Sequence, residues 1–175
     1  MIKVRDYREA DIPALVELAN NENVSRYLVY TFPYPYTLAD ARWWIDTGAS
    51  ENGSVTKAIE FEGAFVGSVG ITPDRGWKSH SAEIGYWVGE PYWGQGIATQ
   101  ALRTLTSHAF RELGFQRLIA PVLSPNKASM AVLEKCGYAC EGVLRSDVYK
   151  SDTYYDIHHY AKNRFRKKPA RAAGD

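Results

Sequence analysis

The sequence predicts a mixed α/β domain with one central sheet, and three observations carry that reading. The 175 residues are 45% hydrophobic and include 6 Phe, 12 Tyr and 5 Trp, enough apolar mass for a single core. The hydrophobic spacing switches repeatedly between a period of two and a helical period, with glycine or proline at most of the changes. No internal repeat, low-complexity linker or break in composition divides the chain.

Ile2 to Tyr7 alternates apolar and polar residues and is expected as a strand. Asp11-Ile12-Pro13 opens a helix, since proline is tolerated in a first turn and Leu15, Leu18 and Ala19 recur at helical spacing. Tyr27 to Tyr36 cannot be helical, because Pro33 and Pro35 each push the preceding residue toward extended backbone. Thr37-Leu38-Ala39-Asp40 reads as a capping box with Asp40 in place of Glu or Gln, leading into a helix that carries Trp43, Trp44 and Ile45. Val55 to Glu60 and Ala64 to Ile71 are two strands joined by a Glu62-Gly63 turn. After a loop with Pro73, Gly76 and Trp77, Ala82 to Val88 is another strand.

A long helix is expected near Gly94 to Leu113, with Ala98, Leu102, Leu105, Ala109 and Leu113 on its apolar stripe and Gly114 ending it. Leu118 to Leu123 is a short buried strand, and Asn126 to Lys135 is a helix closed by Gly137 in a left-handed cap. Val143 to Tyr149 and Tyr154 to Tyr160 complete the order as alternating strands.

The net charge of +1 gives the body of the chain no pull toward nucleic acid or an anionic membrane. Residues 1–163 are read as one domain and residues 164–175, Arg164 to Asp175, as a basic, disordered, solubilising tail. Met1 to Asp6 contains no apolar signal region, and no apolar run is long enough to span a bilayer. Cys136 and Cys140 form no CxxC motif and read as small hydrophobes, so a cytoplasmic location is expected. His80, His108, His158 and His159 show no metal-ligand spacing, and no metal is expected.

The chemistry concentrates in Glu83-Ile84-Gly85-Tyr86-Trp87-Val88-Gly89-Glu90-Pro91-Tyr92-Trp93-Gly94-Gln95-Gly96-Ile97-Ala98-Thr99. A strand runs into a loop with two glycines, and a helix starts there. The first amides of a helix lack backbone partners and sit at the positive end of its dipole. Glycines let a bulky anion approach that backbone, so a phosphate can be held without lysine. A P-loop would need Gly-Lys-Ser/Thr, and a dinucleotide fingerprint would need glycine where Thr99 stands. A plain glycine turn into a helix is the bland alternative.

Trp93-Gly94-Gln95-Gly96-Ile97-Ala98 resembles the Q/R-x-x-G-x-G/A motif of the GNAT acetyltransferase superfamily. Asn126-Lys127-Ala128-Ser129, Val132 to Tyr138 and Glu141-Gly142-Val143-Leu144-Arg145 resemble later motifs of its Rim-type branch, the ribosomal-protein alanine N-acetyltransferases. The resemblance implies a mostly antiparallel sheet of six to seven strands with helices on both faces, splayed between the fourth and fifth strands. It also implies acetyl transfer from acetyl-CoA to a primary amine by direct attack in a ternary complex. Trp87, Val88 and Gly89 would pair with pantetheine, Trp93, Gly94, Gln95, Gly96, Ile97, Ala98 and Thr99 would hold the pyrophosphate, and Asn126 and Ser129 would sit near pantetheine and sulfur.

An alkylammonium with a pKa of ~10 must lose a proton before it attacks a thioester. Glu83 stands where the superfamily commonly places that base, and the Val88 amide is the natural oxyanion donor. Leu133 replaces the tyrosine that often protonates the leaving thiolate, which leaves Ser129 as the substitute and Tyr138 as a weaker candidate. On the acceptor side the resemblance maps the covering wall to Tyr30, Phe32, Tyr34, Tyr36, Trp43 and Trp44, which could equally be core beneath a lid. The acceptor is a small-molecule amine or a peptide N-terminus, the assembly a monomer or a homodimer. A non-catalytic CoA-binding sensor or interaction module is the alternative reading.

Overall fold

The computed structural model describes residues 1–29 and 31–164. The sequence-predicted tail lies outside the described residues from position 165 onward. Among the described residues seven strands form one sheet, in chain order β1 (Ile2–Arg5), β2 (Val55–Phe61), β3 (Ala64–Pro73), β4 (Ser81–Val88), β5 (Arg117–Leu123), β6 (Ala139–Lys150) and β7 (Thr153–Asn163). Their spatial order is β1-β2-β3-β4-β5-β7-β6. Every neighbouring pair is antiparallel except β4 and β5.

The parallel pair is where the sheet opens. Only Ser81, Ala82 and Glu83 pair with Arg117, Leu118 and Ile119, so the ladder stops three residues in and the strands part beyond it. Pro121, which has no amide to donate, lies on β5 in the stretch no longer bonded to β4 while still in register with His159 of β7. The mixed, mostly antiparallel sheet and its splay between the fourth and fifth strands match expectation.

Among the described residues five α-helices cover the two faces: α1 (Ile12–Ala19), α2 (Glu22–Ser25), α3 (Leu38–Asp46), α4 (Ile97–Arg111) and α5 (Lys127–Lys135). On one face, Leu15 and Ala19 of α1 and Ala41 of α3 pack with Tyr36, Ala58 and Phe65. On the other, Ile97, Leu102 and Leu105 of α4 and Met130 and Leu133 of α5 pack on Val69, Ile84, Val88 and Leu118.

Local chemistry explains most boundaries. Thr37 Oγ1 accepts from the Asp40 amide while the Asp40 carboxylate accepts from the Thr37 amide at 2.7 Å, closing the expected capping box. Glu62 and Gly63 both take positive φ, 51° and 87°, the geometry of a tight hairpin turn whose twist suits the flanking strands.

Several edges depart from the sequence reading. β1 ends at Arg5 rather than Tyr7, because its ladder with β2 closes at the Arg5–Ala58 pair; the Tyr7 hydroxyl beyond it lies 2.5 Å from Ser68 Oγ and accepts from Trp44 Nε1 at 3.0 Å. The four-residue α2 was not expected and is too short to show periodicity; Asn21 caps it, accepting from the Asn23 and Val24 amides. Leu113 lies beyond α4 and is exposed, while Ala101 and Phe110 take its place on the buried face. β6 starts four residues before Val143, carrying irregularities at Cys140/Gly142 and Leu144/Val148 that interrupt its alternation.

Candidate active site

Strand β4 supplies the backbone of the site. Asp74 donates to the Ser81 carbonyl at one end of the β3–β4 ladder, and Gly89 donates to the Val66 carbonyl at the other. All registered pairs share that alignment, so odd-numbered β4 residues bond to β3 and even-numbered ones turn their amides and carbonyls away from it. The backbone groups of Tyr86 and Val88 therefore point into the gap left by β5. The Val88 carbonyl is taken by Trp93 Nε1 at 2.6 Å, leaving its N–H as the group Val88 presents there. The structure places Trp87 and Gly89 differently from Val88, since their backbone groups face β3. Tyr86 shares the orientation of Val88, and both Tyr86 and Trp87 line the cavity at the start of α4. Gly89 also fills a packing need, since a Cβ there would come within 2.8 Å of Leu18.

The loop after β4 delivers α4 with an open N-terminus. Gly94 and Gly96 take φ of 76° and 77°, and no atom lies within 4 Å of where a Cβ would stand at either. Gly96 is the N-cap and offers no side-chain bond; the first intrahelical bond runs from the Gln100 amide to the Gly96 carbonyl at 3.1 Å. The amides of Ile97, Ala98 and Thr99 precede that bond, and all three residues line the adjoining cavity. This cavity, about 490 Å³, is lined by Val88, Trp93, Gly94, Gly96, Ile97, Ala98, Thr99, Asn126 and Ser129 among others. Gln95 does not line it, and its amide nitrogen donates to the Pro91 carbonyl. Among its described lining residues the charged ones are Arg26 and Lys135, both cationic.

Helix α5 begins at the same place. Asn126 is its N-cap, accepting from the Ser129 amide at 3.1 Å. Ser129 Oγ lies 2.9 Å from the Tyr86 hydroxyl, which also lies 3.1 Å from the Ser129 carbonyl. Burial pushes the Tyr86 phenol well above its ordinary value; the hydrogen bond with Ser129 opposes this and Cys136 adds to it. Leu133 is fully buried, and Tyr138 is in the core with its hydroxyl 2.8 Å from Thr106 Oγ1, so neither reaches the cavity.

A second cavity of about 620 Å³ lies on the opposite face of the sheet. Its floor is Ser68, Gly70 and Thr72 of β3 beside their partners Trp87, Gly85 and Glu83 of β4. Phe32, Tyr36, Trp43 and Trp44 line it; Tyr34 does not, and Tyr30 lies outside the described residues. Phe32 and Phe65 both meet Trp87 edge-on, with centroids 5.8 and 6.0 Å away. Thus part of the aromatic wall is also core, and Trp44, bonded to Tyr7, serves both.

The charged groups among the described residues lining this second cavity are Asp40, Glu51 and Glu83, all acidic. Glu83 keeps accessible surface, but that surface faces the cavity. Surrounding protein raises its carboxyl pKa, and the negative charge of Asp74 raises it further. Asp74 Oδ2 is buried with no hydrogen-bond partner, and no motif in the sequence places it beside Glu83. The two cavities meet at Leu28, Tyr86 and Trp87, which line both. No cluster of His, Cys, Asp or Glu suited to a metal occurs among the described residues. None of their helices is long and apolar enough to cross a membrane.

Residues 2–139 match the acetyltransferase (GNAT) domain family. YoaA of Bacillus subtilis, an uncharacterized N-acetyltransferase, is 30% identical over 163 residues, covering 90% of each chain. The structure resembles RimL, a ribosomal L7/L12 alpha-N-protein acetyltransferase in complex with coenzyme A, with a TM-score of 0.81, 25% identity and 93% of each chain covered. It also resembles Mycobacterium smegmatis RimJ in complex with CoA-disulfide, with a TM-score of 0.82, 26% identity, and 93% of this chain and 82% of that one covered. With its open helix terminus, splayed strands and family match together, this chain belongs to the GNAT acetyltransferases.

Proposed function

We propose that the protein transfers an acetyl group from acetyl-CoA to a primary amine by direct attack, with both substrates bound at once. The observation that carries this is the opposite charge of two cavities that meet at one point. One joins a helix N-terminus to Arg26 and Lys135, which suits a polyanionic coenzyme; in the other the charged lining groups among the described residues are carboxylates, which suits a cationic amine.

The residues divide the chemistry. The amides of Ile97, Ala98 and Thr99 hold the diphosphate, and the open space beside Gly94 and Gly96 lets it approach. The gap-facing backbone of Tyr86 and the Val88 N–H align pantetheine along β4, and the Val88 N–H then meets the oxyanion formed by attack on the thioester carbonyl. Glu83, with its raised pKa, takes the proton from the ammonium. Ser129 donates a hydrogen bond to the departing sulfur. Phe32, Trp43 and Trp44 supply apolar surface to the carbon skeleton of the acceptor.

The acceptor is a small amine or a peptide N-terminus; relatives named as ribosomal-protein acetyltransferases support the second. Thiol release measured over a panel of amines and N-terminal peptides tests the proposal. Turnover with cationic acceptors is expected. Coenzyme binding without turnover on any acceptor would instead support a non-catalytic CoA-binding module, which Leu133 in the usual tyrosine position favours.

A further inference from the structure

We infer that Tyr86 is a positioning residue that aims the Ser129 hydroxyl at the departing sulfur. The inference rests on reading Ser129 as the hydrogen-bond donor to that sulfur, and it assigns a part to a side chain on the opposite element, 43 residues away in sequence.

A serine in the first turn of a helix has competing uses for its hydroxyl, among them bonding to nearby backbone carbonyls. Ser129 stands third after the Asn126 cap, where its amide is already fixed by the Asn126 side chain. Its Oγ can turn about the Cα–Cβ bond, and among the described residues Tyr86 is the partner that draws it toward β4. Tyr86 and Ser129 both line the coenzyme-side cavity, and Tyr86 also lines the acceptor side, so their contact lies at the junction where the bond must break.

The phenol has one proton and two neighbouring acceptors, Ser129 Oγ at 2.9 Å and the Ser129 carbonyl at 3.1 Å. When Tyr86 donates to the carbonyl, Ser129 turns its own proton to the phenol and has none for a ligand. When Tyr86 donates to Ser129 Oγ, the serine proton is released to point into the cavity. Negative charge building on sulfur favours the second arrangement, because two hydrogen bonds in a row then run toward it. As the carbon–sulfur bond breaks, its electron pair stays on sulfur, Ser129 donates to it, and Tyr86 donates to Ser129. No proton changes owner in this step, since the buried phenol holds its proton firmly; the thiolate takes its proton from solvent afterward.

A double-mutant cycle on kcat at saturating acetyl-CoA tests this. Tyr86→Phe and Ser129→Ala should each lower kcat about tenfold, the loss of one charge-assisted hydrogen bond. The acetyl-CoA KM and CoA binding measured by calorimetry should stay within about twofold, and Tyr86→Phe should remain folded by thermal melting. The double variant should be no slower than Ser129→Ala alone, because Tyr86 acts only through Ser129. Tyr86→Phe that slows both backgrounds equally would show a packing role and overturn the inference. A slow Ser129→Ala beside a wild-type Tyr86→Phe would overturn it while sparing the Ser129 role; wild-type kcat in Ser129→Ala would overturn both.

Discussion

Two glycines at the ends of the same helix separate backbone strain from ligand binding. Gly96 precedes α4 and Gly114 follows it; both have φ of 77°, and neither has an atom within 4 Å of an added Cβ. Alanine at either position pays the same left-handed penalty, about 1 kcal/mol with no clash to add. For a domain of this size that lowers the melting temperature by about 2–4 °C in each variant. Only Gly96 borders the cavity where the diphosphate would lie, so there the methyl group occupies the ligand's approach. Displacing one or two amide–phosphate hydrogen bonds of about 1.5–3 kcal/mol each should weaken CoA binding by about tenfold or more. Calorimetric titration with CoA alongside thermal melts reads both quantities. Matched melting losses with a CoA defect confined to Gly96→Ala are expected. Equal CoA affinities in the two variants would refute the assignment of the α4 terminus as the phosphate site.

Glu83→Gln should cut kcat with little change in CoA affinity. A base must be deprotonated to act, so the raised pKa of Glu83 sets the acid limb of kcat/KM above the ordinary glutamate range; Asp74→Asn removes a like charge and should move that limb to lower pH, read from rate profiles. Lys135→Ala should weaken CoA binding and flatten its salt dependence, measured by titration across ionic strengths, while leaving acceptor KM unchanged. Away from the site, Arg5 holds both carboxylate oxygens of Asp11 at 2.7 and 2.8 Å. Arg5→Met should cost about 3 kcal/mol by leaving Asp11 buried without its partner. Burial raises the Asp11 pKa, but hydrogen bonds from Arg5 and the Arg8 amide outweigh it and leave it lowered, so this stabilisation is complete above the unfolded aspartate pKa and fades as pH falls through the folded one. Melts from neutral to acid pH should show wild type losing that advantage and Arg5→Met having little to lose.

The features legible in the sequence are those written in local chemistry. Thr37 and Asp40 cap α3 from three residues apart, and Gly63, Gly96, Gly114 and Gly137 all take the positive φ that a turn or helix end demands. The glycine loop into α4 was readable for the same reason, since its glycines and its helix are contiguous. What depends on register was not legible. Alternation alone shows which side chains share a face of β4, but only the β3 pairing shows that Tyr86 and Val88, rather than Trp87 and Gly89, turn their backbone to the gap. The Tyr86–Ser129 contact joins β4 to α5, and Asp74 raises the Glu83 pKa from outside any motif. An earlier signal did exist for Tyr86: as an even-numbered neighbour of Val88, it shares that residue's orientation in any regular strand. The aromatic wall divided for a physical reason as well. Trp44 donates to Tyr7 with its ring nitrogen and also lines the cavity, so one residue answers to both readings.

Initial rates of thiol release with acetyl-CoA and a cationic amine varied together test the two-cavity account most directly. Lines that intersect in the double-reciprocal plot, with CoA formed in step with acetylated amine, are predicted for attack between ligands bound at once on either side of Tyr86. Parallel lines, or release no faster than hydrolysis with every amine tried, would contradict it.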